Sequence, residues 1–376
     1  MKTQMTVGGN LNKHNDFRKN FDFVLFFLTL AASIFGIVMI SSAAPSPEKY
    51  VLVQSGALVL GLGAIALLMI LDYEYLASVS LYLYLISIVL LILVLIPGIG
   101  HWENGARSWF RFGKLIGIQP AELVKLAFII TFAKHLSEVD YIDRPRNVLF
   151  LLIHAGILIG LILLQPDFGT AVVFIFIMIT MLFTAKIGWK YIAAGVGAVA
   201  VAAPLCWFVL FDKYQKERII NVFHPENDPA GTGYQVTQSK IAAGSGQLFG
   251  TGLYKGGSQY NNFLPERHTD FIFSVVCEEL GFIGGMCVML LLIAIIVKCL
   301  IVGINARNDL GKYMCVGVAA MFFFHVLENI GMCIGLMPVT GIPLPFFSYG
   351  GSSLLTNLIA IGIVLNVRYR SRVINF

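Results

Sequence analysis

The stretch from Phe263 to Gly284, FLPERHTDFIFSVVCEELGFIG, holds the densest set of residues that could do chemistry. Glu266, Arg267 and His268 follow a proline, Thr269 and Asp270 stand where an apolar run begins, and Cys277, Glu278 and Glu279 come two turns later. On a helix that includes position 270, Asp270, Ser274, Cys277 and Glu278 share one face. A carboxylate at the mouth of a bundle, close to apolar surface, has its pKa raised from ~3.9 and is suited to act as a base. The plain alternative is a helix cap that favours the dipole.

Further polar residues interrupt apolar segments, where each ionisable group is a functional hypothesis by default. In Gln119-Pro120-Ala121-Glu122-Leu123-Val124-Lys125, Glu122 and Lys125 are three apart, on one helix face and close enough to pair. That pair reads as a salt bridge inside a bundle or as a wall of a hydrophilic cavity for a charged headgroup, and the two are compatible. Asp167, between Gln165-Pro166 and Gly169-Thr170, reads as an ordinary N-cap. His325 and Glu328 are again three apart, with Asn329 beside them; His325 and His154 read as bonded packing residues.

Basic residues between Lys213 and Asp270, among them Arg218 and Lys240, suit anionic headgroups or a pyrophosphate at a membrane surface. Gly244-Ser245-Gly246 and Ser348 to Ser353 could offer backbone N–H groups to an anion, although neither matches a phosphate-loop spacing.

The elements that must position these groups follow from composition. The chain has 376 residues, 57% of them hydrophobic and only 12% charged, with a net charge of +5 and a mean hydropathy of +0.81. That excludes a soluble enzyme, a disordered chain and a nucleic-acid binder. The cysteines (Cys206, Cys277, Cys287, Cys299, Cys315 and Cys333) sit mostly in apolar runs without regular spacing, as core-filling residues do. A spanning helix needs roughly 20 apolar residues. By that ruler ten spans are expected near 22–43, 51–71, 76–97, 119–138, 147–165, 168–184, 188–211, 271–300, 312–335 and 349–367. The first is a full span rather than a cleavable signal peptide.

Lysine and arginine counts orient the spans. With both termini cytoplasmic, the inner segments hold Lys2, Lys13, Arg18, Lys19, Lys134, Arg144, Arg146, Lys186, Lys190, Lys298, Arg307, Lys312, Arg368, Arg370 and Arg372. The short outer loops hold only Lys49, Arg107, Arg111 and Lys114. The chemistry then lies outside, in His101 to Ile118, in the long loop 213–270, and in Leu336 to Ser348. No nucleotide-binding loop of the G-x-x-x-x-G-K-[ST] kind is present, so energy must come from the substrate or a gradient.

Four stretches give the chain a resemblance to the SEDS family (shape, elongation, division and sporulation). They are Asn104-Gly105-Ala106-Arg107-Ser108-Trp109 with Gln119 to Leu126; Gln165 to Thr170; Leu264 to Phe271; and Pro338 to Ser353. The Gly341-Ile342-Pro343-Leu344-Pro345 wording looks more like the family's elongation branch than its division branch. The resemblance implies one all-α transmembrane domain over 1–376, multi-pass in the bacterial cytoplasmic (inner) membrane, with its active site facing outward. It implies a peptidoglycan glycosyltransferase that polymerises lipid II into β-1,4 glycan strands. The family's essential aspartate falls on Asp270, its intramembrane Glu–Lys pair on Glu122 and Lys125, a further cavity carboxylate on Asp167, and its outer-loop arginine on Arg107. Thr269 stands beside the aspartate in the same cavity set.

On this implication Asp270 is the general base, and Arg107, Lys125, Arg218 and Lys240 are candidates to neutralise a departing pyrophosphate. A divalent cation, magnesium or manganese, could share that role, though no ligand cluster declares one. The implied partners are a class B penicillin-binding protein supplying the transpeptidase, lipid II itself and other cell-elongation machinery, but no nucleic acid. The rivals are a lipid II flippase, whose site belongs near the midplane on broken helices, and a non-catalytic scaffold, which needs no intramembrane charge.

Overall fold

The computed structural model describes residues 20–103, 105–112, 116–205, 207–208, 213–228, 231–257 and 263–371. Of the residues singled out above, Lys2, Lys13, Arg18, Lys19, Asn104, Lys114, Cys206 and Arg372 lie outside the described ones.

Apolar runs of sufficient length satisfy their own backbone only as helices, and helices dominate. They are α1 (Phe23–Ala43), α2 (Pro47–Ile70), α3 (Tyr73–Ser78), α4 (Ser80–Leu95), α5 (Pro120–Glu138), α6 (Pro145–Leu163), α7 (Phe168–Thr184) and α8 (Trp189–Leu205). The later ones are α9 (Lys213–Phe223), α10 (Thr232–Ser245), α11 (Ile272–Ile304), α12 (Asp309–Cys333) and α13 (Gly351–Arg370). Six of these, α1, α2, α6, α11, α12 and α13, are long and apolar enough to cross a membrane; α4 and α7 are shorter apolar helices. The chain is thus a mostly helical, polytopic membrane protein.

Burial separates centre from rim. In α12, 78% of the most apolar window is covered by protein, and in α13 72%, against 28% in α2. The central helix α12 packs on α5, α7 and α11, and α13 packs on α2. The polar residues of α12 therefore face protein rather than lipid, as an intramembrane His, Glu or Asn requires.

Four expectations are corrected. First, the fold is not purely α. His101–Glu103 (β1), Ala106–Phe112 (β2) and Ile116–Ile118 (β3) form an antiparallel sheet in the order β1-β2-β3. The sequence Ala106-Arg107-Ser108-Trp109-Phe110-Arg111-Phe112, rich in aromatics, suits a strand paired on both edges.

Second, the helix expected over 76–97 is divided at Val79. Ser78 turns its hydroxyl back to the Tyr75 carbonyl, the local competition that disfavours continuing a helix.

Third, the segment 213–270 is not simply a loop. It carries α9, a short 3-10 turn (Pro225–Asn227) and α10, and α10 packs on α11.

Fourth, α11 is broken. Gly281 has φ 70 and ψ −171, a conformation for glycine, and a side chain there would strike the backbone of Gly250 and Leu248. The glycine-containing stretch Gln247–Gly252 fills the break. Phe282 and Ile283 donate their N–H groups to the Gln247 and Leu248 carbonyls at 2.8 and 3.3 Å, while Thr251 and Gly252 donate to the Glu278 and Glu279 carbonyls, both at 3.0 Å. Both exposed helix ends are thereby satisfied by protein.

Candidate functional site

The turn that precedes α11 decides what Asp270 can do. Glu266 is held in the left-handed region at φ 50, and its carbonyl accepts from Thr269 N and Phe271 N, both at 3.2 Å. Thr269 Oγ1 donates to Glu266 Oε2 at 2.9 Å. The helix then starts one residue late. Phe271 occupies the N-cap position, and no side chain caps the first turn.

Asp270 is therefore neither a cap nor part of a helical face with Ser274, Cys277 and Glu278, as the periodicity predicts. Ser274 instead shares a 2.6 Å hydrogen bond with Ser239 of α10, and Glu278 is buried. The Asp270 carboxylate is half-buried and faces Gly341, where an added Cβ would stand 3.5 Å from Oδ2. No hydrogen bond from a described residue reaches that carboxylate. Burial, reinforced by Glu266 and opposed by Arg218, raises its pKa to about 7.

A second cluster lies within the bundle. Lys125 Nζ donates to Glu122 Oε1 at 2.7 Å, and both side chains are buried. Lys125 Nζ is also 2.9 Å from His325 Nε2, while His325 Nδ1 stands 3.3 Å from the Pro343 carbonyl. A neutral imidazole protonated at Nδ1 satisfies both contacts. Nearby, Asp167 is the N-cap of α7: Oδ1 accepts from Thr170 N at 3.0 Å and Oδ2 from Thr170 Oγ1 at 2.9 Å. Gln119 Nε2 adds a third donor at 3.1 Å. Burial raises the Asp167 pKa, and the Thr170 hydrogen bonds and Lys125 oppose the rise.

What joins the clusters is the segment after α12, and periodicity gave no sign of it. Glu328 accepts from Thr340 Oγ1 at 3.0 Å, Asn329 Nδ2 donates to the Ile342 carbonyl at 2.9 Å, and His325 meets Pro343. On one side of this segment Gly341 faces Asp270; on the other, Gly169 beside the Asp167 cap approaches Thr340. The same segment is stitched to the Glu266 turn. Ser348 Oγ donates to the Thr269 carbonyl at 2.7 Å, and Tyr349 N donates to the His268 carbonyl at 2.9 Å.

The remaining sequence-predicted residues divide. Arg218 lies close enough to Asp270 to oppose its raised pKa. Thr269 turns its hydroxyl to Glu266. Lys240 is exposed and lays its methylenes against Gly335, at the turn that leaves α12. Arg107 is committed to the three-stranded sheet, where Nη1 donates to the Leu95 carbonyl at 3.1 Å and the guanidinium lies 5.5 Å from the Trp102 ring centroid. Gly244-Ser245-Gly246 is not an anion cradle: it ends α10 against α11, and Gly246 meets the Cys277 carbonyl. Arg267 is buried, with Nε donating to the Ala43 carbonyl at 2.6 Å. Among the described residues no group of three or more His, Cys, Asp or Glu side chains is placed to hold a metal ion.

Fold and site define a polytopic membrane protein with an ionisable site built on loops between buried helices. The FtsW/RodA/SpoVE cell cycle protein family model matches residues 22–373, and the chain belongs to that family. It is 36% identical over 271 residues to the peptidoglycan glycosyltransferase MrdB of Escherichia coli K12, covering 72% of this chain and 73% of that one. It is 40% identical over 281 residues to stage V sporulation protein E of Bacillus subtilis, covering 74% and 75%. A solved structure described as the structural coordination of polymerization and crosslinking by a peptidoglycan synthase complex superposes with a TM-score of 0.81 at 34% identity, covering 94% of this chain and 99% of that one. The crystal structure of the rod shape determining protein RodA of Thermus thermophilus gives 0.70 at 32% identity, covering 94% and 98%.

Proposed function

We propose that this chain is a peptidoglycan glycosyltransferase that polymerises lipid II into β-1,4 glycan strands on the outer face of the bacterial cytoplasmic membrane, with Asp270 as general base. The observation that carries the mechanism is the state of Asp270. It is half-buried, unused as a cap, free of hydrogen bonds from described residues, and raised to about 7. A base with that pKa is half ionised at neutral pH and well matched to its task. It takes the proton of an acceptor GlcNAc 4-hydroxyl as that oxygen bonds to the donor's anomeric carbon. The bond to undecaprenyl pyrophosphate breaks, and the α-linked donor is inverted to a β linkage.

A positioned base contributes roughly 10²–10⁴-fold. Orientation of two lipids and neutralisation of the leaving pyrophosphate supply the rest. Arg218, beside Asp270, is the first candidate for that charge, with Lys125, Lys240 and Arg107 behind it and Glu122, Asp167 and Thr269 shaping the cavity. The lysine and arginine pattern of the sequence supports a reading of ten spans in a single domain, with cytoplasmic termini, the 213–270 segment outside and the Glu266 turn on the outer side. The name of the Escherichia coli relative and the synthase-complex likeness support both the polymerase reading and a class B penicillin-binding protein partner. The Gly341 to Pro345 wording supports a role in elongation.

The test uses the full chain with its penicillin-binding partner in liposomes supplied with lipid II. The native protein is expected to make glycan strands and Asp270→Asn none, with thermal midpoint and partner binding retained. Normal polymer yield from Asp270→Asn overturns the mechanism. Lipid II crossing the liposome bilayer without polymer would move the protein to the flippase class.

A further inference from the structure

We propose that Asn329 is a positioning residue for Asp270, holding the turn that carries the base and the segment that faces it at one fixed separation. This rests on the reading of Asp270 as the base and names what aims it. Asn329 is fully buried in α12. Its Nδ2 donates to two carbonyls, that of Asp270 at 2.8 Å and that of Ile342 at 2.9 Å. One belongs to the base itself. The other follows Gly341, the residue that the carboxylate faces.

The chemistry of the side chain is specific to that task. A carboxamide nitrogen offers two N–H donors from one atom, a hydroxyl offers one donor, and a carboxylate offers none. Sequence separation makes the clamp informative, because Asp270 and Asn329 are 59 positions apart, and Asn329 and Ile342 are 13 apart. His325 and Glu328 stand on the same helical face and hold Pro343 and Thr340. His325 also reaches Lys125. One face of α12 therefore sets the outer base and the buried Glu122–Lys125 pair in a common frame. In the sequence, Asn329 is a polar residue stranded in an apolar span; here it ties the Asp270 turn to the segment that joins the two charged clusters.

A misplacement of about 1 Å at a reacting group reduces rate about 10²-fold. Asn329→Leu keeps the shape and deletes both donors. In the full chain with its penicillin-binding partner, this variant is expected to lower kcat for lipid II polymerisation about 10²-fold, with KM within threefold. The acidic limb of the pH–rate profile moves as well, because the carboxyl turns relative to Glu266, Arg218 and Cys333, whose Sγ lies 3.7 Å from the Asp270 carbonyl. A readout free of activity comes from Asp270→Cys, alkylated by a maleimide and followed by peptide mass spectrometry. Adding Asn329→Leu to that background is expected to change the alkylation rate at position 270 at least threefold. Native kcat, or a loss with both the pH limb and the alkylation rate unmoved, overturns the inference. Should Asn329→Leu fail to fold, Asn329→Gln decides by the same readouts: it keeps both donors one methylene further out, and native kcat with a native pH limb overturns the clamp. Asp270→Asn separates the two levels. If that variant polymerises normally the base assignment falls, whereas if it is inactive and the Asn329 variants match native, only the positioning role falls.

Discussion

Asp167 and Asp270 each stand just before a helix, and they have opposite fates. Asp167 is spent: it accepts from Thr170 N, Thr170 Oγ1 and Gln119 Nε2, and begins α7 as its cap. Asp270 makes no such bonds with described residues: the helix after it begins at Ile272 with no side-chain cap, behind a turn in which the Glu266 carbonyl accepts from Thr269 N and Phe271 N. The difference is made by the backbone and not by the aspartate. A left-handed residue four positions earlier tightens the turn, delays the helix by one residue and leaves the carboxylate over Gly341. Capping consumes a carboxylate; a turn that ends one residue short of the helix leaves one unused.

The sharpest break of this comparison is the amide substitution at the released position. Asp270→Asn is expected to lose polymerisation by roughly 10²–10⁴-fold, the share of a positioned base. Its thermal midpoint should be unchanged or higher, since no fold-stabilising hydrogen bond is lost and a half-buried charge is removed. A large fall in thermal midpoint would make Asp270 a structural residue after all.

The buried pair gives the next effect. Glu122→Ala or Lys125→Ala strands one buried charge, and each is expected to destabilise the fold by about 3–5 kcal/mol and to reduce polymer yield. The reversal Glu122→Lys/Lys125→Glu should lose less function than either single change, because it preserves a pair. Equal losses in all three, by denaturation midpoint and by polymer yield, would show that the two side chains do not act as a unit.

A smaller effect follows from the carboxyl's titration. Raised to about 7, Asp270 is the competent base above that pH and is protonated below it. The rate at saturating lipid II is expected to fall about tenfold per pH unit below 7 and to level off above it. A flat profile between pH 5 and 8 would place the proton transfer elsewhere.

Legibility in the sequence tracked the range of the interaction. The Glu122–Lys125 pair was visible because three residues along a helix is a local distance. Asp167 was visible as a cap for the same reason, with Thr170 three residues on. The Asp270 environment was not, since its determinants are the φ of Glu266, a glycine 71 positions further along the chain, and Asn329 in another helix. Helical periodicity put Asp270 on a face it does not occupy. The break in α11 was hidden likewise: Gly281 in an apolar run looks tolerable until Gln247–Gly252 is seen to fill the gap. The sheet was missed because two of its strands have only three residues, too few to show alternation, and the seven-residue strand between them, Ala106-Arg107-Ser108-Trp109-Phe110-Arg111-Phe112, does not alternate strictly between apolar and polar residues.

The smallest effect returns to the spent aspartate and probes the comparison from its other side. Asparagine is nearly as good an N-cap as aspartate, whereas alanine is poor. If Asp167 serves the cap and the Gln119 contact, Asp167→Asn keeps the helix start and costs a few tenths of a kcal/mol, while Asp167→Ala costs about 1 kcal/mol. Polymerisation by Asp167→Asn should then stay within about tenfold of native, the range in which a cavity wall is altered but the base is untouched. Polymer yield and denaturation midpoint measured on the same preparations separate the cases. A loss from Asp167→Asn as deep as that from Asp270→Asn, with the midpoint unchanged, would mean that a carboxylate already holding three donors is also needed as a charge, and that capping had not consumed it.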